Sequence, residues 1–206
     1  MGGVERFHRN MRGDFCISLV SNKTAKVKNH KTPQESSLEF IQPHKVDGEV
    51  FLLSSGDNIL IQKYFLTFQK WKGEPILNSY GNKAVVDWNG APLFAELAAL
   101  KLFQSYGWNG VWVDSYRKKF RVGLPDVVEP IEIPQDQKEL IDSIRTRTTK
   151  FGGCWDLFLW KGDEVLFVEL KRQKKDAIQD SQRQWLGHSL AHGLHAENFA
   201  FLEWII

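Results

Sequence analysis

The chain has 206 residues, of which 27 are Lys or Arg and 25 are Asp or Glu, for a formal charge of +2. That length can bury one sizeable core and requires no second domain, while the near-zero charge excludes nucleic-acid binding by bulk electrostatics and leaves only binding by a localised basic surface. Eight Trp and fourteen Phe fit a densely packed interior better than any base-stacking surface. Cys16 and Cys154 lie far apart, without the paired spacing of a zinc or redox motif, and two are too few for a disulfide scaffold. A reducing compartment is therefore expected. The first ten residues, MGGVERFHRN, carry no apolar signal-peptide core, and no apolar run approaches the roughly 18 residues a membrane helix needs. A soluble, intracellular protein without a membrane partner follows as the expectation.

In chain order, Phe15 to Val20 reads as a strand, and the stretch KTAKVKNHKTPQESS after it has no period and reads as loop up to about residue 48. Between Val50 and Trp88 the apolar runs VFLL, NILI, YFLTF and AVVDW are β-rich and separated by Gly, Asn, Asp and Pro, which predicts a small meander. Leu60, Tyr64 and Phe68 would also suit a helical stripe, but strands fit better. No recognisable chemistry lies in this half. Residues 1–85 therefore read as an N-terminal β-rich elaboration on a core spanning 86–206.

The second half is more regular. Pro92 suits a first helical turn, and Leu93, Leu97, Leu100 and Phe103 recur at helical spacing until Gly107. Glu96 shares or borders that stripe. Gly110 to Tyr116 then reads as a short strand, and residues from 117 to about 150 as an insertion. That insertion holds a basic RKKFR, a Pro-rich acidic segment, a short amphipathic helix around Leu140, Ile141 and Ile144, and a basic RTRTTK. A helix from about Asp176 to His192 and a last strand from Phe199 to Ile206 close the chain.

Between the insertion and that helix lies GCWDLFLWKGDEVLFVELK, Gly153 to Lys171, two apolar runs around a polar turn. If Gly162-Asp163 is a two-residue hairpin turn, Lys161 faces Glu164, and counting outward pairs Trp160 with Val165, Phe158 with Phe167, and Asp156 with Glu169. Directly opposed residues have Cβ atoms roughly 4.5–5.5 Å apart, and strand alternation puts Lys171 on the face of Glu169 with Leu170 pointing away. Two carboxylates so close must share a proton, lean on a cation or bind a metal. An oxygen-rich corner of this kind is what a hard divalent ion selects.

Asp156 followed thirteen residues later by Glu169-Leu170-Lys171, in the order helix, strand, strand, strand, helix, strand, resembles the PD-(D/E)XK nuclease superfamily. GCWDLFLW, FVELKR and SQRQWL followed by HG are similar to the VRR-NUC branch, with its aspartate-leucine strand, its acid-x-lysine strand and a helix that opens with glutamine just ahead of an aromatic residue. The similarity covers about residues 90 to 206. It departs at one position, where Trp155 replaces the family's proline before the aspartate. A literal Pro125-Asp126 occurs in GLPDVVEP, but outside any apolar run, whereas Asp156 opens a strand in register with Glu169.

The resemblance implies an α/β restriction-endonuclease-like core, a mixed sheet flanked by helices in the order α-β-β-β-α-β, acting as a Mg²⁺- or Mn²⁺-dependent DNA nuclease. Asp156 and Glu169 would be metal ligands, with the Leu170 carbonyl as a third. Lys171 would orient or deprotonate the attacking water or stabilise the phosphorane-like transition state. The resemblance assigns Glu96 an outer or second-metal role and Gln182 a supporting one. Three basic clusters flank the site and supply phosphate contacts: Arg117, Lys118, Lys119 and Arg121; Arg145 and Arg147; and Arg172, Lys174 and Lys175. The substrate would be DNA, including branched or single-stranded forms, and a homodimer would let two copies cut both strands. The alternative is a catalytically silent nucleic-acid-binding or assembly module on the same fold. A plain surface salt bridge between Glu169 and Lys171 would account for that pair alone, but not for the ordered set of motifs.

Overall fold

The computed structural model describes residues 7–9, 15–17, 31–33, 35–81, 83–147 and 152–206. Strands β1 (Phe7–Arg9) and β2 (Phe15–Ile17) pair antiparallel, and a 3₁₀ helix runs from Glu35 to His44. There follow β3 (Lys45–Leu52), β4 (Asn58–Thr67), β5 (Gln69–Lys70), β6 (Val85–Trp88), β7 (Ala91–Phe94), α1 (Ala95–Ser105), β8 (Asn109–Asp114) and β9 (Lys119–Arg121). The chain ends with α2 (Gln135–Arg147), β10 (Leu157–Lys161), β11 (Glu164–Arg172), α3 (Asp180–Ala191) and β12 (Phe199–Ile205). No helix among the described residues is long and apolar enough to cross a membrane.

Seven strands form one mixed sheet in the order β3-β4-β12-β11-β10-β8-β9. The strands at its centre are covered on both faces, which is why FAFLEWI in β12 reads as a nearly unbroken apolar run rather than an alternating one. Side-chain alternation splits the core into two layers. Leu157, Leu159, Leu166, Val168 and Leu170 pack with Leu97, Leu100 and Phe103 of α1. Phe158, Trp160, Val165 and Phe167 face the other way, against Leu140, Ile141 and Ile144 of α2 and Trp185 and Leu186 of α3.

The β10–β11 hairpin has the register that the sequence implies: Lys161 opposite Glu164, Trp160 opposite Val165 and Phe158 opposite Phe167. Gly162 takes φ of +58° at the first turn position, where a II′ turn needs glycine. The stacked pair Phe158–Phe167, at 4.8 Å between centroids, fastens that register from the α2/α3 side.

Four expectations shift. Pro92 is in β7, not in a helix; β7 is the edge of a three-stranded sheet with β5 and β6, where a missing N–H costs no ladder bond, and α1 starts only at Ala95. The strands between Val50 and Trp88 exist but do not form one meander. β3 and β4 join the main sheet, with β4 parallel to β12, while β5 and β6 turn away with β7. The loop expected up to residue 48 contains the 3₁₀ helix and the start of β3. Ile41 is buried there and Phe40 stacks on Tyr106 at 4.1 Å, so apolar anchors order a segment with no period of its own. Finally, α3 begins at Asp180 rather than Asp176. A reciprocal cap between Gln179 and Gln182 fixes its first turn, while the Asp176 carboxylate accepts from the Arg172 N–H in the preceding turn.

Candidate active site

Asp156 stands one residue ahead of β10, at the step where the ladder would next pair it with Glu169. Backbone contacts hold it there. Its carbonyl accepts from the Val113 N–H at 2.7 Å, and its Oδ2 accepts from the Leu170 N–H at 2.9 Å. Trp155, at the position of the departure from the nuclease motif, is fully buried, with its ring 5.1 Å from Phe199 and 5.7 Å from Phe51. Its bulk therefore anchors the approach to β10 and leaves Asp156 in register. Gly153 makes that approach possible: its φ is +99°, and a Cβ there would meet the Ser181 carbonyl oxygen at 2.3 Å.

Glu169 is 2 % exposed, a burial that an ionised carboxylate tolerates only with partners. Its Oε1 accepts from Lys171 Nζ at 2.9 Å and from Gln182 Nε2 at 2.5 Å. Gln182 does two jobs with one amide, since its Oε1 also accepts the Gln179 N–H at 2.8 Å and caps α3. Glu169 Oε2 is buried without a partner among the described residues. Leu170 points into the opposite layer, as alternation requires. A strand residue's N–H and C=O lie on the same side, so the Leu170 carbonyl, like its N–H, lies on the flank that β10 no longer covers beyond Leu157.

From α1, Glu96 reaches the same end of the sheet, 8 % exposed, with Oε1 2.5 Å from Lys83 Nζ and Oε2 buried and partnerless among the described residues. Burial, and next the Glu96 charge, push the Asp156 carboxyl up to about 7. Burial, and next the Asp156 charge, likewise push Glu169 up, against the opposing pull of Lys171. Three acids thus lean on two ammonium groups in a dry corner.

Lys83 precedes β6 in the half of the chain that carried no recognisable chemistry, and nothing in NKAVVDW marks it. Asp114, at the end of β8, and Tyr80 were missed in the same way. The Asp114 carboxylate is 2 % exposed and accepts from Tyr80 Oη at 2.7 Å, from Arg121 Nε at 2.7 Å and from the Arg117 N–H at 3.0 Å. Burial raises its pKa, but these donors outweigh burial and hold it below the usual value. Burial and the bond to Asp114 push the Tyr80 hydroxyl up.

Two basic clusters lie at this end of the sheet. β8 pairs with β10 at Trp112–Leu157 and with β9 at Asp114–Lys119, which puts the turn with Arg117 and Lys118 next to Asp156. Arg172, Lys174 and Lys175 follow directly on Lys171. Lys118, Lys119, Lys174 and Lys175 are exposed. The Arg117 guanidinium lies over Tyr80 at 5.0 Å, and that of Arg172 over Trp204 at 5.5 Å. Arg121 is turned inward by its bond to Asp114. Arg145 pairs with Asp142 at 3.3 Å and lies over Phe120, while the side chain of Arg147 falls outside the described residues. Asp126 is exposed on a turn.

Compared with protein-family models, with curated proteins and with solved structures, the chain shows no significant match. The site's chemistry therefore rests on its own geometry. Among the described residues no three His, Cys, Asp or Glu side chains form a ready metal cage. The oxygens left to a cation are the Asp156 oxygen not bonded to Leu170, Glu169 Oε2 and the Leu170 carbonyl, with one Glu96 oxygen engaged by Lys83. Two orphaned carboxylate oxygens and two carboxyls pushed upward are what a hard cation would relieve. The donor set fits a divalent ion.

Proposed function

We propose that the chain is a Mg²⁺- or Mn²⁺-dependent nuclease with a restriction-endonuclease-like core of the PD-(D/E)XK type, acting on DNA. The observation that carries this reading is the convergence of Asp156 and Glu169 at the ends of neighbouring strands, with Lys171 at 2.9 Å and Gln182 on the same Glu169 oxygen. Asp156, Glu169 and the Leu170 carbonyl would hold the ion, which when bound lowers the pKa of a water and neutralises charge on the phosphodiester. Lys171, fixed on Glu169, keeps an N–H donor free for the attacking water or for a phosphate oxygen. As the water oxygen bonds to phosphorus the ester P–O bond breaks; the water's proton passes to solvent, and the departing alkoxide takes up a proton from solvent. Gln182 keeps Glu169 oriented. The exposed lysines 118, 119, 174 and 175 and the arginines 117 and 172 hold the flanking phosphates.

Asp156→Ala and Lys171→Ala each abolish Mn²⁺-dependent cleavage of labelled DNA while far-UV circular dichroism stays unchanged; undiminished cleavage by both would overturn the proposal. Turnover on single strands, duplexes, flaps and four-way junctions separates the substrate forms, and a matching RNA distinguishes the nucleic acid.

One observation favours a second reading. The buried acids already have internal ammonium partners in Lys83 and Lys171, as a catalytically silent nucleic-acid-binding or assembly module would require. Such a module binds no Mn²⁺ at a saturable site that disappears in Glu169→Gln, whereas the nuclease does.

A further inference from the structure

Lys83 is the cation that the nuclease motif does not include. Its Nζ makes the 2.5 Å bond to Glu96, lies 5.2 Å from the centroid of the Trp112 ring and 5.7 Å from that of Phe94, and its side chain is one-third exposed, at 32 %.

The charges at this end of the sheet can be assigned. Asp114 is satisfied by Arg121 and Tyr80, and Glu169 Oε1 by Lys171 and Gln182, which leaves Glu169 Oε2 for the ion. Glu96 is left, and Lys83 is the ammonium bonded to it. A second divalent ion would need Glu96 as its carboxylate, since among the described residues it is the acid at this end that neither holds the first ion nor is satisfied by Arg121 and Tyr80. It would then have to compete with an ammonium already bonded to one Glu96 oxygen, and two positive centres on one carboxylate repel strongly where water is scarce.

We infer that Lys83 is the built-in second cation of this centre: by occupying Glu96 it restricts the site to one divalent ion, held by Asp156 and Glu169. The inference rests on the metal-dependent reading above and goes beyond it in fixing the number of ions and in naming a positioning residue from outside the motif. The ammonium supplies beside Glu96 the fixed positive charge that a second metal would bring, without needing to be loaded.

Mn²⁺ binding to the full-length protein, followed by the electron paramagnetic resonance signal of free Mn²⁺, tests this without any turnover. The expected stoichiometry is one ion per chain in the native protein and in Lys83→Arg. Lys83→Met, which keeps an unbranched stem against Phe94 and Trp112, releases Glu96 and gives two. Lys83→Met combined with Glu96→Gln returns to one. Two ions bound by the native protein would overturn the inference and needs no variant to fold. One ion in both the native protein and Lys83→Met would also overturn it, leaving the nuclease reading standing. No ion bound by the native protein would sink that reading and the inference together.

Discussion

Asp156 and Glu169 each owe their position to a different kind of restraint. Asp156 is held through backbone groups, Val113 N–H on its carbonyl and Leu170 N–H on Oδ2, whereas Glu169 is held through the side chains of Lys171 and Gln182. Both carboxyls are pushed upward, first by burial and then by a neighbouring negative charge, and for Asp156 the value is about 7. A carboxyl with a higher pKa in the folded chain than in the unfolded one binds its proton more tightly when folded. Its stabilising contribution is complete below the unfolded value, about 4, and is lost as pH rises through about 7. In the metal-free protein, melting temperature is therefore expected to fall between about pH 4 and about pH 7, with Asp156→Asn flattening the slope. Saturating Mn²⁺ should raise the melting temperature more at the upper pH, because the ion replaces the proton. Calorimetry at matched ionic strength checks this, and parallel slopes in native and Asp156→Asn proteins would refute it.

At the level of elements, the segment from Gly153 to Asp156 joins the hairpin to the first turn of α3. Gly153 has φ of +99° and approaches the Ser181 carbonyl too closely for any Cβ. Gly153→Ala is expected to cost about 2 kcal/mol or more, from left-handed strain together with a displaced helix start. Because Gln182 both caps α3 and bonds Glu169, that displacement should also weaken Mn²⁺ binding several-fold. Chemical denaturation and a Mn²⁺ titration of one variant measure both effects; a stability loss without weakened binding would show that α3 and the site are not mechanically linked. Trp155 acts in the same segment by filling space against Phe51 and Phe199, which fixes the approach to β10 by packing where the nuclease motif uses a proline ring.

At the level of the whole molecule, the sheet does not respect the division of the sequence into a plain first half and a regular second half. β4 lies parallel to β12 over Ala200–Gln62 through Ile205–Thr67, and β3 covers β4. Removing residues 1–85 would strip both strands, expose the apolar β12 as an edge and delete Lys83. A fragment of residues 86–206 is accordingly expected to aggregate or to lack a cooperative thermal transition, as judged by light scattering and circular dichroism. A monomeric fragment with native-like melting would show that the first half is dispensable for folding.

Much of the site was legible in the residues because its information is local. Period-two alternation and a two-residue turn fix which residue faces which, since a slip of one position would turn every apolar side chain of the hairpin outward. That placed Asp156 opposite Glu169 and Lys171 on the face of Glu169, and helical spacing placed Glu96 and Gln182 near buried stripes. Pro92 misled because the same ring suits a first helical turn and an edge strand, and only the pairing of β7 with β6 chooses between them.

The amino-acid sequence by itself determined the hairpin, its register and the acid-acid-lysine set, because each depends on neighbours within a few residues or across one tight turn. Only the tertiary structure decided that β4 would lie beside β12, that Asp114 would draw Arg121 inward, and that Lys83 would close on Glu96. Those contacts join segments whose local patterns are independent of one another. A lone lysine ahead of an apolar run looks like any solvated charge until the fold buries a carboxylate beside it.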